Sequence, residues 1–270
     1  MAERLGRHAM LFQARCRRSI RELTEPVVHD HFETFIGRQD RALGIGTAVG
    51  SQSWFVYDID PAPHRGSGRR PDRKLDPDKP VRSSRSYVRS IERTLCGLIP
   101  LVPTGRPLIF QVDGRNDYRI AAKAQDTRSS VVLDVYPNPT RGPKGTPRSP
   151  DAKRRDSAMF PVDQLHQLLR HSMADQKRET IAFGRRLESI VGRAYLLSVW
   201  KNFIKRRTER KPDRSTPAMR LGLAESLWRW ERVFTRRLFV TREALPFAIE
   251  AIYRKRWSLR LPEPTRKHAE

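Results

Sequence analysis

Cysteine is nearly missing from this chain. Only Cys16 and Cys96 occur among 270 residues, and they form no Cys-x-x-Cys pair. That excludes a disulfide framework and a zinc ribbon within the sequence. Long hydrophobic runs are missing too, none approaching the roughly 20 apolar residues of a membrane-spanning helix. The opening Met-Ala-Glu-Arg-Leu-Gly-Arg-His has no apolar segment of the signal-peptide kind. The expectation is a cytoplasmic, nucleoid-associated protein of bacterial type with no membrane partner. No internal repeat is visible. Acidic residues are few beside basic ones, 30 Asp+Glu against 54 Lys+Arg, for a formal net charge of +24. Such an excess implies a polyanionic partner, because each Lys or Arg docked on a phosphate releases a counterion. Arg outnumbers Lys, which favours forked phosphate contacts over point charges. With 37% hydrophobic residues the chain can still bury a sizeable core.

Residues 1–23 read as a basic amphipathic helix with Leu5, Met10, Leu11, Ala14 and Ile20 as its apolar stripe, ended by Pro26. Three strand-like runs follow, Val27–Phe35, Leu43–Val49 and Trp54–Ile59, separated by Gly and Ser, which predicts an antiparallel meander. Residues 61–80 are a basic loop rich in Pro, Gly, Arg and Lys. Helical spacing returns over Ser84–Leu98, then a strand over Leu108–Asp113, a short helix over Tyr118–Lys123 and a strand over Val131–Tyr136. A second basic linker covers Asn138–Asp156. Helices are predicted at Val162–Leu169 and from Glu179 to Lys205, then at Pro217–Leu221, Ser226–Arg237 and Phe247–Arg254. The fold class is therefore α/β. A five-stranded mixed sheet flanked by helices, with a C-terminal helical extension, is the packing this order supports. It is also the element order of the ribonuclease-H-like fold. Three segments are expected: a basic helix at 1–24, the sheet domain at 25–206 and a helical extension at 207–270.

Against the basic background, Asp30, Asp113 and Glu179 are the acids best placed for chemistry. Asp30 lies in the first strand, Asp113 at the end of the fourth, and Glu179 at the predicted start of a long helix. They are 83 (113 − 30) and 66 (179 − 113) residues apart. Carboxylates are the hard oxygen ligands that Mg²⁺ prefers. Two such ions roughly 3.5–4 Å apart can activate a nucleophile and stabilise a leaving oxygen in phosphoryl transfer. Asp58, Asp60 and Asp134 are rival strand acids. His29 and His31 flank Asp30 and point to one face of the strand, where zinc is a competing reading. The five Trp are expected in the core rather than as base-stacking platforms.

The words around these acids resemble the DDE-type transposases of bacterial insertion sequences. His-Asp-His-Phe-Glu-Thr-Phe is similar to their first-aspartate strand, and Phe-Gln-Val-Asp-Gly-Arg-Asn-Asp-Tyr to the second. Met-Phe-Pro-Val-Asp-Gln-Leu-His-Gln-Leu-Leu-Arg-His-Ser, followed by Lys-Arg-Glu-Thr-Ile-Ala-Phe-Gly-Arg-Arg, resembles the final-glutamate region. Trp-Lys-Asn-Phe-Ile-Lys and Thr-Pro-Ala-Met-Arg-Leu-Gly-Leu continue it, so that residues 25–225 are covered.

The resemblance implies a ribonuclease-H-like catalytic domain in which Asp30, Asp113 and Glu179 hold two Mg²⁺ or Mn²⁺ ions. It implies nicking of transposon ends and joining of the 3′-hydroxyl to target DNA, on double-stranded DNA and as a homodimer or larger assembly. The basic segments then contact the DNA backbone through Arg69, Arg70, Arg73, Lys74, Arg141, Lys144, Lys153, Arg154, Arg155, Lys177, Arg178, Arg185 and Arg186. Such transposases carry an N-terminal zinc ribbon or helix-turn-helix, so residues 1–24 are expected as the remnant or end of that region. His31 stands where many relatives have a second acid. Two other readings stay open: a truncated, inactive remnant that only binds nucleic acid, and a structure-specific nuclease on the same fold.

Overall fold

Short runs rich in apolar residues, separated by Gly- and Ser-containing breaks, build the centre of the sheet. The computed structural model describes residues 2–64, 85–124, 131–139, 143, 145–177, 182–209 and 213–257. Strand β1 (Val27–Ile36) pairs antiparallel with β2 (Arg38–Gly50), and β2 with β3 (Val56–Pro63). Helix α2 (Arg85–Leu98) leads to β4 (Leu108–Val112), helix α3 (Asn116–Lys123) and β5 (Val131–Val135). β4 lies parallel to β1, and β5 parallel to β4, giving the order β3-β2-β1-β4-β5. This is a ribonuclease-H-like sheet, as the element order predicted. The predicted basic loop at 61–80 falls largely outside the described residues, although Pro61–Pro63 complete β3.

Helices lie on both faces of the sheet, while Ile109 of β4 and Val132 of β5 stay exposed. Tyr87 and Ser90 of α2 and Tyr118 of α3 pack against His29 and His31 on one face. Close approach there depends on Gly44, where a Cβ would stand 2.8 Å from the Tyr87 ring. On the other face lies α4 (Pro150–Ser172), with Met159, Val162, Leu165 and Leu169 buried. Helix α5 (Leu187–Val199) packs at the β3 side, where the Tyr195 hydroxyl donates to the Ile59 carbonyl.

Helix α1 (Ala2–Arg18) is no solvated appendage, since Ala9, Met10, Leu11 and Phe12 are all buried. It crosses α5 so closely that a Cβ on Gly6 would meet Gly192 Cα at 2.8 Å. Alanine usually gains about 1 kcal/mol over glycine inside a helix. Here Gly6→Ala is expected to lose about 1–3 kcal/mol through overpacking. Urea unfolding of the variant checks this; a gain in stability would show that the helices can move apart freely. Short helices α6 (Pro217–Arg220), α7 (Trp230–Phe234) and α8 (Phe247–Tyr253) follow. Residues from all three predicted segments share one core, including Met10 and Phe12, Phe110 and Val191, and Val233 and Ile249.

The Trp-Lys-Asn-Phe-Ile word forms a π-helical turn at Trp200–Ile204. Its polar residues hold the β2–β3 hairpin. Asn202 accepts from the Val56 N–H at 2.8 Å and donates to the Val56 carbonyl. Lys201 Nζ donates to the carbonyl of Trp54, itself at φ 63. Burial lowers the Lys201 pKa to about 7, with Arg207 and Lys205 adding to the effect. Between that value and the ordinary 10.5 the unfolded chain binds the extra proton, so stability rises with pH across the window. Denaturant unfolding at pH 7 and pH 10 is expected to lose much of that rise in Lys201→Met; an unchanged slope would count against the burial argument.

Candidate active site

The register of the two central parallel strands positions the first pair of acids. Val27 pairs with Phe110 and Val28 with Gln111, an offset of 83 (110 − 27). Asp30 and Asp113 differ by the same 83 positions, so continuing the register sets Asp113, one residue past the end of β4, abreast of Asp30. Successive residues of a strand alternate faces. Asp30 therefore points with Phe32 toward α4, while His29 and His31 point toward α2 and α3.

The electrostatics agree with that proximity. Burial, then the charge of Asp113, raises the Asp30 pKa from 3.8 to about 7, and Asp163 adds to the rise. The His31 N–H, donating to Asp30 Oδ1 at 2.7 Å, and the charge of Arg155 oppose it. Among the described residues no Lys or Arg forms an ion pair with Asp30; its one such neighbour is His166, with Nδ1 3.8 Å from Oδ2. Asp113 accepts from the Arg115 N–H at 3.2 Å, a turn contact that leaves its second oxygen for other work.

Helix α4 forms the opposite wall. Residues 30–33 of β1, with Asp30 and Phe32 turned toward the helix, line a cleft of about 470 Å³ together with Asp163, His166, Gln167 and Arg170. His166 rests on the Phe32 ring, 5.4 Å between centroids, and its Nε2 lies 2.8 Å from Thr47 Oγ1. Burial, with Arg170 and Arg155 nearby, lowers the His166 pKa to about 3, so the ring is neutral at physiological pH. Sequence reasoning had Asp163 and His166 inside a quoted word without assigning them a role. Their spacing of three on a helix, which puts both on one face, was the available signal.

Two expectations about the helices are corrected. The second linker ends early: α4 begins at Pro150, so Lys153, Arg154 and Arg155 are helical rather than in a loop. Ser149 caps it, accepting from the Ala152 N–H at 3.2 Å, with Pro150 and Asp151 in the first turn. That Ser-Pro-Asp signal was readable and was outweighed by the surrounding Pro and Gly. The long helix predicted from Glu179 begins only at Leu187, after an extended Arg186. Residues 182–186 run past the end of β1, where the Gly37 N–H donates to the Gly184 carbonyl at 2.8 Å and Phe183 packs near Phe35. A tertiary contact has displaced local periodicity. Glu179 itself lies outside the described residues.

The rival acids are committed elsewhere. Asp58 pairs with Arg17 at 3.2 Å and accepts from Thr94 at 3.0 Å. Asp60 takes the Arg93 guanidinium through both carboxyl oxygens. Asp134 accepts from the Tyr136 hydroxyl at 2.7 Å. The two flanking histidines are core residues, their rings 5.0 Å apart, with His29 Nδ1 3.0 Å from the Tyr118 hydroxyl. Among the described residues no three His, Cys, Asp or Glu side chains converge to enclose a metal.

Of the expected DNA contacts, Arg69, Arg70, Arg73, Lys74, Arg141, Lys144 and Arg178 lie outside the described residues. Lys153, Arg154, Lys177, Arg185 and Arg186 are exposed. Arg155 is not available in the same way: it pairs with Asp163 and lies 3.8 Å from Asp156. Among the described residues no helix is long and apolar enough to cross a membrane. No protein family, curated protein or solved structure matches this chain.

Proposed function

We propose that the chain is a metal-dependent polynucleotidyl transferase of the DDE transposase kind, acting on double-stranded DNA. One observation carries the reading: the β1–β4 offset equals the Asp30–Asp113 separation, which puts two carboxylates side by side at the centre of a ribonuclease-H-like sheet. A half-buried carboxyl with an acid as its strongest charged neighbour and, among the described residues, no Lys or Arg ion pair is suited to a divalent cation. Asp30 and Asp113 fit as hard oxygen ligands for Mg²⁺ or Mn²⁺, and Glu179 is the proposed third carboxylate. When bound, such ions supply charge stabilisation on the phosphoryl oxygens and a nucleophile at neutral pH.

The protein's own part is to hold two carboxylates against their repulsion and to position the duplex. Exposed Lys153, Arg154, Lys177, Arg185 and Arg186 supply backbone contacts that orient DNA without reading sequence. Joining two DNA ends calls for two such sites, so a dimer or larger assembly on DNA belongs to the proposal. A labelled duplex with a free 3′-hydroxyl, incubated with target plasmid and Mg²⁺ or Mn²⁺, tests it. Covalent transfer of label to the plasmid supports a transposase. Cleavage with no transfer points instead to a nuclease on the same fold, and DNA binding with neither reaction rejects both enzymes.

A further inference from the structure

Trp54 is held in a conformation that suits glycine. It sits in the β2–β3 hairpin at φ 63, the left-handed region that a bulky side chain rarely enters. Hydrogen bonds pin the loop around it. Glu25 accepts from the Gln52 and Ser53 N–H groups at 2.7 and 2.8 Å, and the Trp54 N–H donates to the Gly50 carbonyl at 3.1 Å. Phe55, next along the chain, is fully buried, yet Trp54 stays partly exposed. Its ring lies against Phe160 of α4, 5.2 Å between centroids and tilted by 57°. Phe160 is itself 46% exposed. Cations stand beside the pair. The Arg207 guanidinium is 4.4 Å from the Trp54 ring centre, fixed there by a 2.8 Å hydrogen bond to the Gln52 carbonyl, and Arg206 is exposed. Asp213, 3.7 Å from Arg207, offsets part of this charge. Residues 200–209 nevertheless carry Lys201, Lys205, Arg206 and Arg207 against Glu209 alone. A strained backbone that presents an aromatic ring at a basic surface points to use of that ring.

We propose that Trp54 and Phe160 form a platform on which an unpaired base of single-stranded nucleic acid stacks, with Arg206 and Arg207 against its phosphates. Every base has a π-face, so aromatic rings among cations bind single strands with little regard to sequence. A duplex keeps those faces within its own stack, out of reach of the rings. The neighbouring cations favour this occupant over an apolar protein segment. This seat lies outside the proposed transferase reading, which uses only duplex backbone contacts, and it needs no metal. Its place in the fold suits a strand that runs on to the cleft. Gly50, where the hairpin opens, is three residues along β2 from Thr47, the ladder partner of Asp30, about 10 Å at the rise of a strand. Phe160 precedes Asp163 of the cleft by about one turn of α4.

Fluorescence anisotropy of a labelled oligothymidylate, and of a duplex of the same length, tests this with the full chain in a chelator at fixed salt. Trp54→Gly removes the ring and suits φ 63, and Phe160→Ala alters a side chain already half exposed. Each is expected to weaken single-strand binding about 5- to 150-fold, the usual worth of one stacked base, and duplex binding much less. Trp54→Phe keeps a ring and is expected to retain most of the affinity. Thermal unfolding separates use from packing, since Trp54→Gly should be at least as stable as wild type. Should it lose stability, Phe160→Ala decides alone. Single-strand affinity within about twofold of wild type in both variants overturns the proposal. So do equal losses on single strand and duplex, or a wild type that binds no single strand. All three results leave the transferase reading standing, and failure of strand transfer leaves this platform standing.

Discussion

If the chain is the proposed transferase, Asp113→Asn is expected to lower metal-dependent DNA cleavage about 10³-fold or more, because a metal's stabilisation of the transition state is worth several kcal/mol and each 1.4 kcal/mol is a decade in rate. The substitution is close to isosteric. Asparagine Oδ1 can still accept from the Arg115 N–H, so the turn after β4 survives. What disappears is one of the proposed carboxylate ligands and, with its negative charge, much of the attraction the proposed site would have for a divalent ion. Single-turnover cleavage of an end-labelled duplex, with DNA binding measured alongside, reads the effect. Binding unchanged and cleavage lost is the expected pair. A variant that cuts within tenfold of wild type would remove Asp113 from the site.

Asp30→Asn is expected to make the metal-free protein more stable at pH 8 while removing its metal response. The folded pKa of Asp30 is raised to about 7 from 3.8, through burial first and Asp113 second. Between those values the folded state holds a proton that the unfolded chain has released. Stability therefore falls as pH rises through the window and stays low above it. Roughly three pH units correspond to about 4 kcal/mol at most, with the partly hydrated cleft reducing it. Asparagine cannot ionise, and its Oδ1 still accepts the His31 N–H. Urea unfolding in a chelator at pH 5 and pH 8 should show a flatter pH dependence in the variant. Some slope remains, because burial also raises Asp60 to about 6. Saturating Mn²⁺ should stabilise the wild type at pH 8 and leave Asp30→Asn unmoved. An Asn variant less stable than wild type at pH 8 would contradict this account.

Together the two expectations describe a carboxylate pair in conflict with its own fold. A core that placed Phe110 and Val112 on β4 and Val28 and Phe32 on β1 gains from burying the sheet centre. Placing Asp30 there, with Asp113 as neighbour, costs stability unless a cation is bound. Asp58 and Asp60 show the contrasting solution on β3, where Arg17 and Arg93 supply the positive charge from within the chain. The same residue type is structural on one strand and a metal-site candidate on another because of which side chains face it.

Much of this was legible before any coordinates. Short runs of strand-like composition marked all five strands, and the 83-residue separation of Asp30 and Asp113 already held the strand register, although only the β1–β4 pairing gives that number meaning. The cysteine count and the charge excess bounded what the chain could be. Local signals failed where distant contacts decided the outcome. Periodicity ran a helix back to Glu179, but a hydrogen bond from Gly37 and packing near Phe35 keep residues 182–186 out of the helix. Composition made 138–156 a linker, whereas a Ser149 cap and the sheet face opened α4 at Pro150. The N-terminal stripe told of an amphipathic helix and could not say that Gly6 would meet Gly192. The contact of His166 with Thr47, 119 positions away in the chain, had no local signal. What the sequence determined by itself was the order of elements, their buried faces and the acids able to meet, since these follow from residue type and spacing. Which groups do meet, and in which protonation state, was decided only in the tertiary structure, where burial and the charge of a neighbouring strand set the energy of each proton.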